Sequence, residues 1–437
     1  MRRRTFFKRT GVALGALPVL GPSVLVRDPG SRVAFDPTDW ESVRAQFRLT
    51  RDRIHMATFL LASHPRPVAE AVERHRRAFD TDPAAHWEEN FRTAEPEVRQ
   101  DAAEYLEADP AHIALTDSTT MGLGLVYGGL DLKPDQEIVT TPHGHWATIE
   151  SLRLRAERTG AVVREVALYD DPAATSVDQV VSRLREAVTD RTRVVAVTWV
   201  HSSTGVKLPL AEMAEALREL DADRALGERV LFCVDGVHGF GVEDVTAEAL
   251  GCDVFVAGTH KWLFGPRGTG IVWARPEAWD AIHPIIPTFG PSVGVWMGLL
   301  PPDTPLVTPG SVHTPGGFHS FEHRWALGEA FRFHLEIGKA RIEERIHALN
   351  TSAKEALGEV PGVRLYTPMD PALSAGIITF DVDGRSPSEV VAHLDERGIT
   401  ASTTPYPVSY ARVAPGALNT EEEVEKTVAA VAELARG

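Results

Sequence analysis

The chain has 437 residues, enough to bury a large core and to divide into two or three domains. Apolar residues make up 43% and charged residues 24%, ordinary globular values that exclude long disordered or collagen-like stretches. Lysine and arginine number 45 against 61 aspartates and glutamates, so the net charge of −16 repels phosphate backbones and speaks against nucleic acid as a partner.

The chain begins MRRRTFFKRT, followed by the uncharged, moderately apolar run GVALGALPVLGPSVLV. Arg3, Arg4, Thr5, Phe6, Phe7 and Lys8 resemble a twin-arginine export signal. The apolar run is shorter than the roughly 20 residues of a spanning helix and holds prolines and glycines, so a targeting peptide is expected rather than a membrane anchor. The expectation is an exported protein, periplasmic or extracellular; the alternative is a basic N-terminus on a cytoplasmic one. Residues 1–27 form this signal and 28–65 an N-terminal arm.

From residue 66 onward, short β-branched runs alternate with amphipathic stretches, the pattern of βαβ units around a parallel sheet. Seven strands are predicted: HIALT from His112, EIVTT from Glu137, AVVREVAL from Ala161, TRVVAVTWV from Thr192, RVLFCVD from Arg229, CDVFVAG from Cys252 and TGIVWA from Thr269. Helices are predicted over 176–188 and 210–220, where apolar positions recur three and four apart. The stretch 284–317 is rich in Pro and Gly, lacks periodicity and reads as a long loop. A connecting helix follows at HRWALGEAFRFHLEIG, and from about Asn350 helices (SPSEVVAHLDERG, EEEVEKTVAAVAELA) mix with strands (VRLYT, AGIITFDV). The expected architecture is α/β: a large domain over 66–317 with a mainly parallel seven-stranded sheet, then a connecting helix and smaller α+β domain over 318–437. The two cysteines, Cys233 and Cys252, lie inside predicted core strands, so neither a structural disulfide nor a zinc site is expected.

The strongest chemical signal is DVFVAGTHKWLFGPRGTGIVWAR, in which an apolar strand ends in Gly258, Thr259, His260 and Lys261. A lysine there brings its amine to the carboxyl edge of the sheet, where parallel α/β folds bind ligands, and a partly desolvated amine forms a Schiff base with an aldehyde cofactor. FCVDGVHGFG ends another strand at Asp235, 26 residues before the lysine. A carboxylate in that place keeps the ring nitrogen of pyridoxal 5′-phosphate (PLP) protonated, which makes the ring an electron sink. His238 reaches the cofactor's phenolic oxygen in this reading, or is a turn histidine in the plain one.

Asp235-x-x-His238 together with His260-Lys261-Trp262 and GPRGTG resembles the class V aminotransferase family of fold-type I PLP enzymes, especially its isopenicillin N epimerase-like branch. The resemblance covers most of the chain after the signal. It implies the PLP-dependent transferase fold type I, PLP as cofactor, an amino acid as small-molecule substrate and a homodimer sharing its active sites. It implies a phosphate-binding turn in ALTDSTTMGLGLVYGGL at Ser118, Thr119 and Thr120, where a helix N-terminus favours an anion. It implies an aromatic ring stacked on the cofactor at His145, with the adjacent Trp146 as the alternative. Thr259 or His260 adds a phosphate contact, and either His201 or Ser202 of TWVHSSTGVKLP lies near the phenolic oxygen. In SYARVAPGALNTEEEV, Arg412 binds the substrate α-carboxylate, marked by the flanking Asn419 and Thr420. TPGGFHSFEH, with Gly316 and Gly317, resembles the segment that reaches the partner's cofactor phosphate.

Two departures bear on the reaction. The N-terminal substrate loop, often Asn-x-Gly-like in relatives, reads Ala57, Thr58, Phe59 here. Cysteine desulfurases need a thiol on a mobile loop, and Cys233 and Cys252 are poorly placed for that. The implied cycle has Lys261 remove the α-proton, with epimerisation, transamination and elimination as outcomes that the sequence does not separate. A nicotinamide-dependent dehydrogenase would need a G-x-G-x-x-G turn, and Gly122, Gly124 and Gly128 have the wrong spacing. An exported binding protein that keeps the fold without turnover is the remaining rival. No metal site is expected.

Overall fold

All seven strands predicted from the β-branched runs pair into one sheet. A computed structural model describes residues 35–304 and 307–437; the twin-arginine-like segment lies outside the described residues. The strands are β1 (Ile113–Thr116), β2 (Glu137–Thr140), β3 (Val162–Glu165), β4 (Thr192–Thr198), β5 (Leu231–Asp235), β6 (Val254–Gly258) and β7 (Gly270–Ala274), in the spatial order β1-β7-β6-β5-β4-β2-β3. Strands β2 to β6 run parallel, whereas β7 is antiparallel to both of its neighbours. The reason is connection length: 11 residues join β6 to β7, and a parallel return needs a crossover of a dozen or more, usually a helix.

Because the central strands are covered on both faces, they read as continuous apolar runs rather than alternating ones. Val194, Ala196, Cys233, Val254 and Val256 pack on one face with Leu123 and Val126, while Val195, Val197, Phe232, Val234 and Phe255 pack on the other. Cap chemistry places the helices: Ser176 accepts the Gln179 N–H ahead of Val177–Ala187, and Leu210–Leu220 follows Pro209.

The C-terminal part holds an antiparallel sheet of β8 (Val363–Leu365), β9 (Ile378–Val382), β10 (Ser402–Thr403) and β11 (Ala411–Val413), ordered β10-β11-β9-β8 and packed with helices Pro387–Glu396 and Glu421–Arg436. From the N-terminal arm, Ile54–His55 pairs in parallel with Ile399–Thr400. The 284–317 stretch is not wholly loop. Its prolines open two short helices, Pro291–Trp296 and Pro309–His313, by standing in the first turn where the missing N–H costs nothing. The connecting helix divides into Phe321–Ala326 and Gly328–Ile337, and a 20-residue helix, Lys339–Gly358, follows that periodicity had not marked. Among the described residues no helix is long and apolar enough to cross a membrane.

Candidate active site

The carboxyl ends of β1, β2, β4, β5 and β6 converge on one sheet edge. Cross-strand register sets Thr198 opposite Asp235, and both Thr116 and Gly258 opposite Gly270. A cavity opens there, lined by Ser118, Thr119, Thr120, His145, Ala147, Thr198, Asp235, Val237, His238, His260 and Lys261. Eight of these eleven were singled out from the sequence, and they arrive from four separate strand ends.

Ser118 caps helix Thr119–Gly129 by accepting the Met121 N–H at 3.1 Å, and the Thr119 hydroxyl oxygen accepts the Gly258 N–H at 2.8 Å. Both oxygens are thus held by backbone donors, which leaves their hydroxyl hydrogens free to donate to an anion beside the positive end of the helix. Gly122 lies inside this helix with its α-carbon face against the sheet: an added Cβ would stand 2.6 Å from Val256 Cγ1. That glycine serves close helix–sheet packing.

The Lys261 turn is tightly folded. Lys261 O accepts the Phe264 N–H, Thr259 O accepts the Gly265 N–H, and Phe264 adopts the left-handed φ of 60°. The Lys261 amine lies 3.3 Å from His238 Nε2, while His238 Nδ1 accepts the Trp262 indole N–H at 3.4 Å. Burial pulls the Lys261 pKa down to about 8, against the opposing pull of Asp235. Asp235 is itself fully buried at the end of β5, taking a hydrogen bond from Val237 N at 3.3 Å and one from the Thr148 hydroxyl at 3.4 Å. Burial raises its pKa, and the neighbouring His145 and Lys261 work in the other direction.

His145 caps helix Trp146–Thr159, with Nδ1 accepting the Ala147 N–H at 3.2 Å and its own backbone N–H bonded to the Thr198 hydroxyl. It is His145 that lines the cavity; Trp146 is 67% exposed. His260 lines the cavity as well, whereas the Thr259 hydroxyl is turned inward to Thr269 at 2.5 Å. His201 is fully buried with Nδ1 bonded to the Tyr169 hydroxyl at 2.7 Å, off the cavity wall. Ser202 is also off that wall: its hydroxyl bonds Tyr406 at 2.7 Å and its carbonyl takes a hydrogen bond from Arg412. Gly317, with φ 108°, and Gly316, whose N–H bonds Pro287 O, lie elsewhere, outside the cavity lining.

Arg412 is positioned by β11. Its cross-strand neighbour Ser402 accepts two guanidinium N–H groups, at 3.0 and 3.2 Å, and the guanidinium carbon stands 4.0 Å from the centre of the Phe59 ring. The side chain is buried, and burial lowers its pKa to about 10. Among the described residues no carboxylate pairs with it. A buried guanidinium without a counter-ion is a costly arrangement unless an anion completes it. Phe59, Ser402 and Tyr406 were not singled out as site residues from the sequence. For Phe59 the only available signal was its place in the N-terminal substrate loop.

A model of the family "Aminotransferase class-V" matches residues 62–426. The chain is 26% identical to an isopenicillin N epimerase of Streptomyces clavuligerus over 403 residues, 89% of this chain and 96% of that one. It is 30% identical to a cysteine desulfurase of Klebsiella pneumoniae subsp. pneumoniae over 352 residues, 76% and 80% of the two chains. Among solved structures, a lysine-to-alanine mutant of C-DES with glycine covalently linked to its PLP cofactor superposes with a TM-score of 0.78 at 22% identity, over 89% of this chain and 99% of that one. The apo cysteine desulfurase of Thermococcus onnurineus NA1 gives 0.75 at 23%, over 91% and 98%. These likenesses at low identity establish the fold. With the family match over most of its length, the chain belongs to the class V aminotransferases, a family of PLP-dependent enzymes.

Proposed function

We propose that this protein binds PLP at the sheet edge and removes the α-proton of an amino acid substrate. The observation that carries the reading is that Lys261 and Asp235 open into one cavity whose wall includes the Ser118–Thr119–Thr120 helix start. Lys261 would hold the cofactor through its aldehyde, Asp235 and His238 its ring, and the free hydroxyl donors at the helix start its phosphate. Bound PLP supplies an electron sink for the pair left when a bond to the α-carbon breaks. The Lys261 amine, once released, accepts the α-proton, and its lowered pKa suits a base working near neutral pH. His145 would cover a face of the ring, and Arg412 would fix the substrate carboxylate, the anion its burial calls for.

Epimerisation and elimination are the favoured outcomes. Desulfuration by a thiolate is not, since Cys233 and Cys252 are buried and burial pushes both thiols up, away from the thiolate. A homodimer, in which the 316–317 segment reaches the partner's cofactor, and export through the Arg3–Arg4 signal complete the reading.

The test is α-proton exchange of an amino acid panel in heavy water, with product analysis for the opposite enantiomer, the keto acid or an eliminated fragment. The expected result is a yellow protein that exchanges deuterium into at least one amino acid, with both colour and exchange lost in Lys261→Ala. A spectrum that shifts with amino acids but no exchange would favour the binding-protein reading. A Lys261→Ala protein that keeps the borohydride-sensitive colour would overturn the assignment of the lysine.

A further inference from the structure

The hydrogen bonds around His238 leave little freedom in where its proton resides. A neutral imidazole has one donor and one acceptor nitrogen, and an indole N–H donates only. Trp262 Nε1 faces His238 Nδ1 at 3.4 Å, so Nδ1 is the acceptor and Nε2 carries the hydrogen. Nε2 in turn faces the Lys261 amine at 3.3 Å. A charged ammonium has no lone pair and could only donate, which a protonated Nε2 cannot receive. The uncharged amine can accept. Trp262 itself is buried and has no slack: a Cβ on Gly376 would meet its ring at 2.5 Å, which holds the indole in place.

We propose that Trp262 is a positioning residue that fixes the tautomer of His238, and that the resulting Nε2 donor selects the uncharged, nucleophilic form of the Lys261 amine. The neutral state of His238 agrees with its burial and with the nearby Arg412 guanidinium, both of which push its pKa down. The other titratable groups around Lys261 come from every neighbouring element: Asp235 at the end of β5 and Arg412 on β11 act on its charge, while His145 before helix Trp146–Thr159 and His260 within its own turn feel that charge in return. Asp235 favours the ammonium and Arg412 opposes it. Neither sets a proton position on the imidazole as the indole does.

The inference rests on Lys261 being the cofactor lysine, and its test is chosen to separate the two. In apoprotein, the pH dependence of borohydride-trapped PLP capture at Lys261, located by peptide mass, reports the titration of that amine. Trp262→Phe is expected to raise the midpoint by roughly half a unit to one unit, the size of one neutral hydrogen bond. In a His238→Leu background the same change is expected to have no effect, because no ring nitrogen remains for the indole to orient. A shift of equal size in both backgrounds would mean a packing effect and overturn the proposal, as would no shift in either. If PLP is trapped at another lysine, it is the cofactor assignment that fails. For the case in which Trp262→Phe does not fold, 15N-histidine spectra of the wild-type apoprotein, with His238→Gln to assign the signal, read the tautomer directly. An Nδ1-protonated His238 would refute the inference.

Discussion

At the scale of single residues, the site separates groups that charge chemistry must keep apart. Lys261 ordinarily titrates near 10.5 and is pulled to about 8 by burial. Its amine is therefore uncharged above about pH 8, so PLP capture by apoprotein is expected to accelerate with pH and level off there; a rate still climbing towards pH 10 would contradict the burial of this amine. Arg412 gives a second test. Ser402, the Ser202 carbonyl and Phe59 hold its planar fork from three sides, a geometry that lysine cannot copy. Arg412→Lys is expected to raise KM at least about tenfold, the loss of one charge-assisted bond, with a smaller fall in kcat. Lys261 and Asp235 were legible in the sequence because each ends an apolar strand at a fixed spacing. Ser402, Tyr406 and Phe59 were not, since what recruits them is a cross-strand register and a loop packing over long sequence distance. His201 illustrates the opposite case: its neighbourhood was legible, but which face of the loop it would occupy was not, and the hydroxyl of Tyr169 draws it away from the cavity.

At the scale of elements, the end of the cavity proposed to take the phosphate depends on a helix cap. Ser118→Ala removes the acceptor for the Met121 N–H and a donor for the anion together. The expected cost is about 1 kcal/mol of stability in denaturant titration, accompanied by weaker PLP binding. A loss of stability with unchanged cofactor affinity would show that the hydroxyl serves the helix alone. The preceding residue, Asp117, is tied to the buried Arg324 at 2.5 Å, and Arg324 also contacts Glu95 at 3.2 Å. This ion-paired anchor braces the turn from behind. Strands were read well because burial on both faces makes them uninterrupted apolar runs. The helix Lys339–Gly358 escaped notice because its inward stripe includes Asn350 and Lys354, and a buried lysine breaks the apolar period. Lys354 is tolerated there because Pro368 O, Met369 O and the Ser374 hydroxyl accept its three donors at 2.7 to 3.0 Å. The interruption at Leu327 was invisible for a different reason: φ −61° and ψ −34° are helical, so periodicity runs through it.

At the scale of the whole molecule, the segment after β7 displays large apolar side chains to solvent. Trp296 is 86% exposed, Leu299 71% and Phe318 79%, and the Phe318 ring lies 6.4 Å from that of Phe289. Such exposure marks an interaction surface more often than a free one. Sedimentation is expected to give a dimer, and Trp296→Asp with Leu299→Asp to weaken it; a wild-type protein that remains monomeric at micromolar concentration would remove the shared-site part of the functional reading. The late position of β7 in the chain carries one more consequence. It is the wedge between β1 and β6, so the segment bearing Ser118 and the turn bearing Lys261 become neighbours only after residue 274 has been made and folded. During synthesis or refolding, then, a nascent chain has secondary structure long before it has a place for a vitamin-derived ligand. Ellipticity should return first and the yellow colour last, the interval measuring how long the final strand takes to thread into its slot.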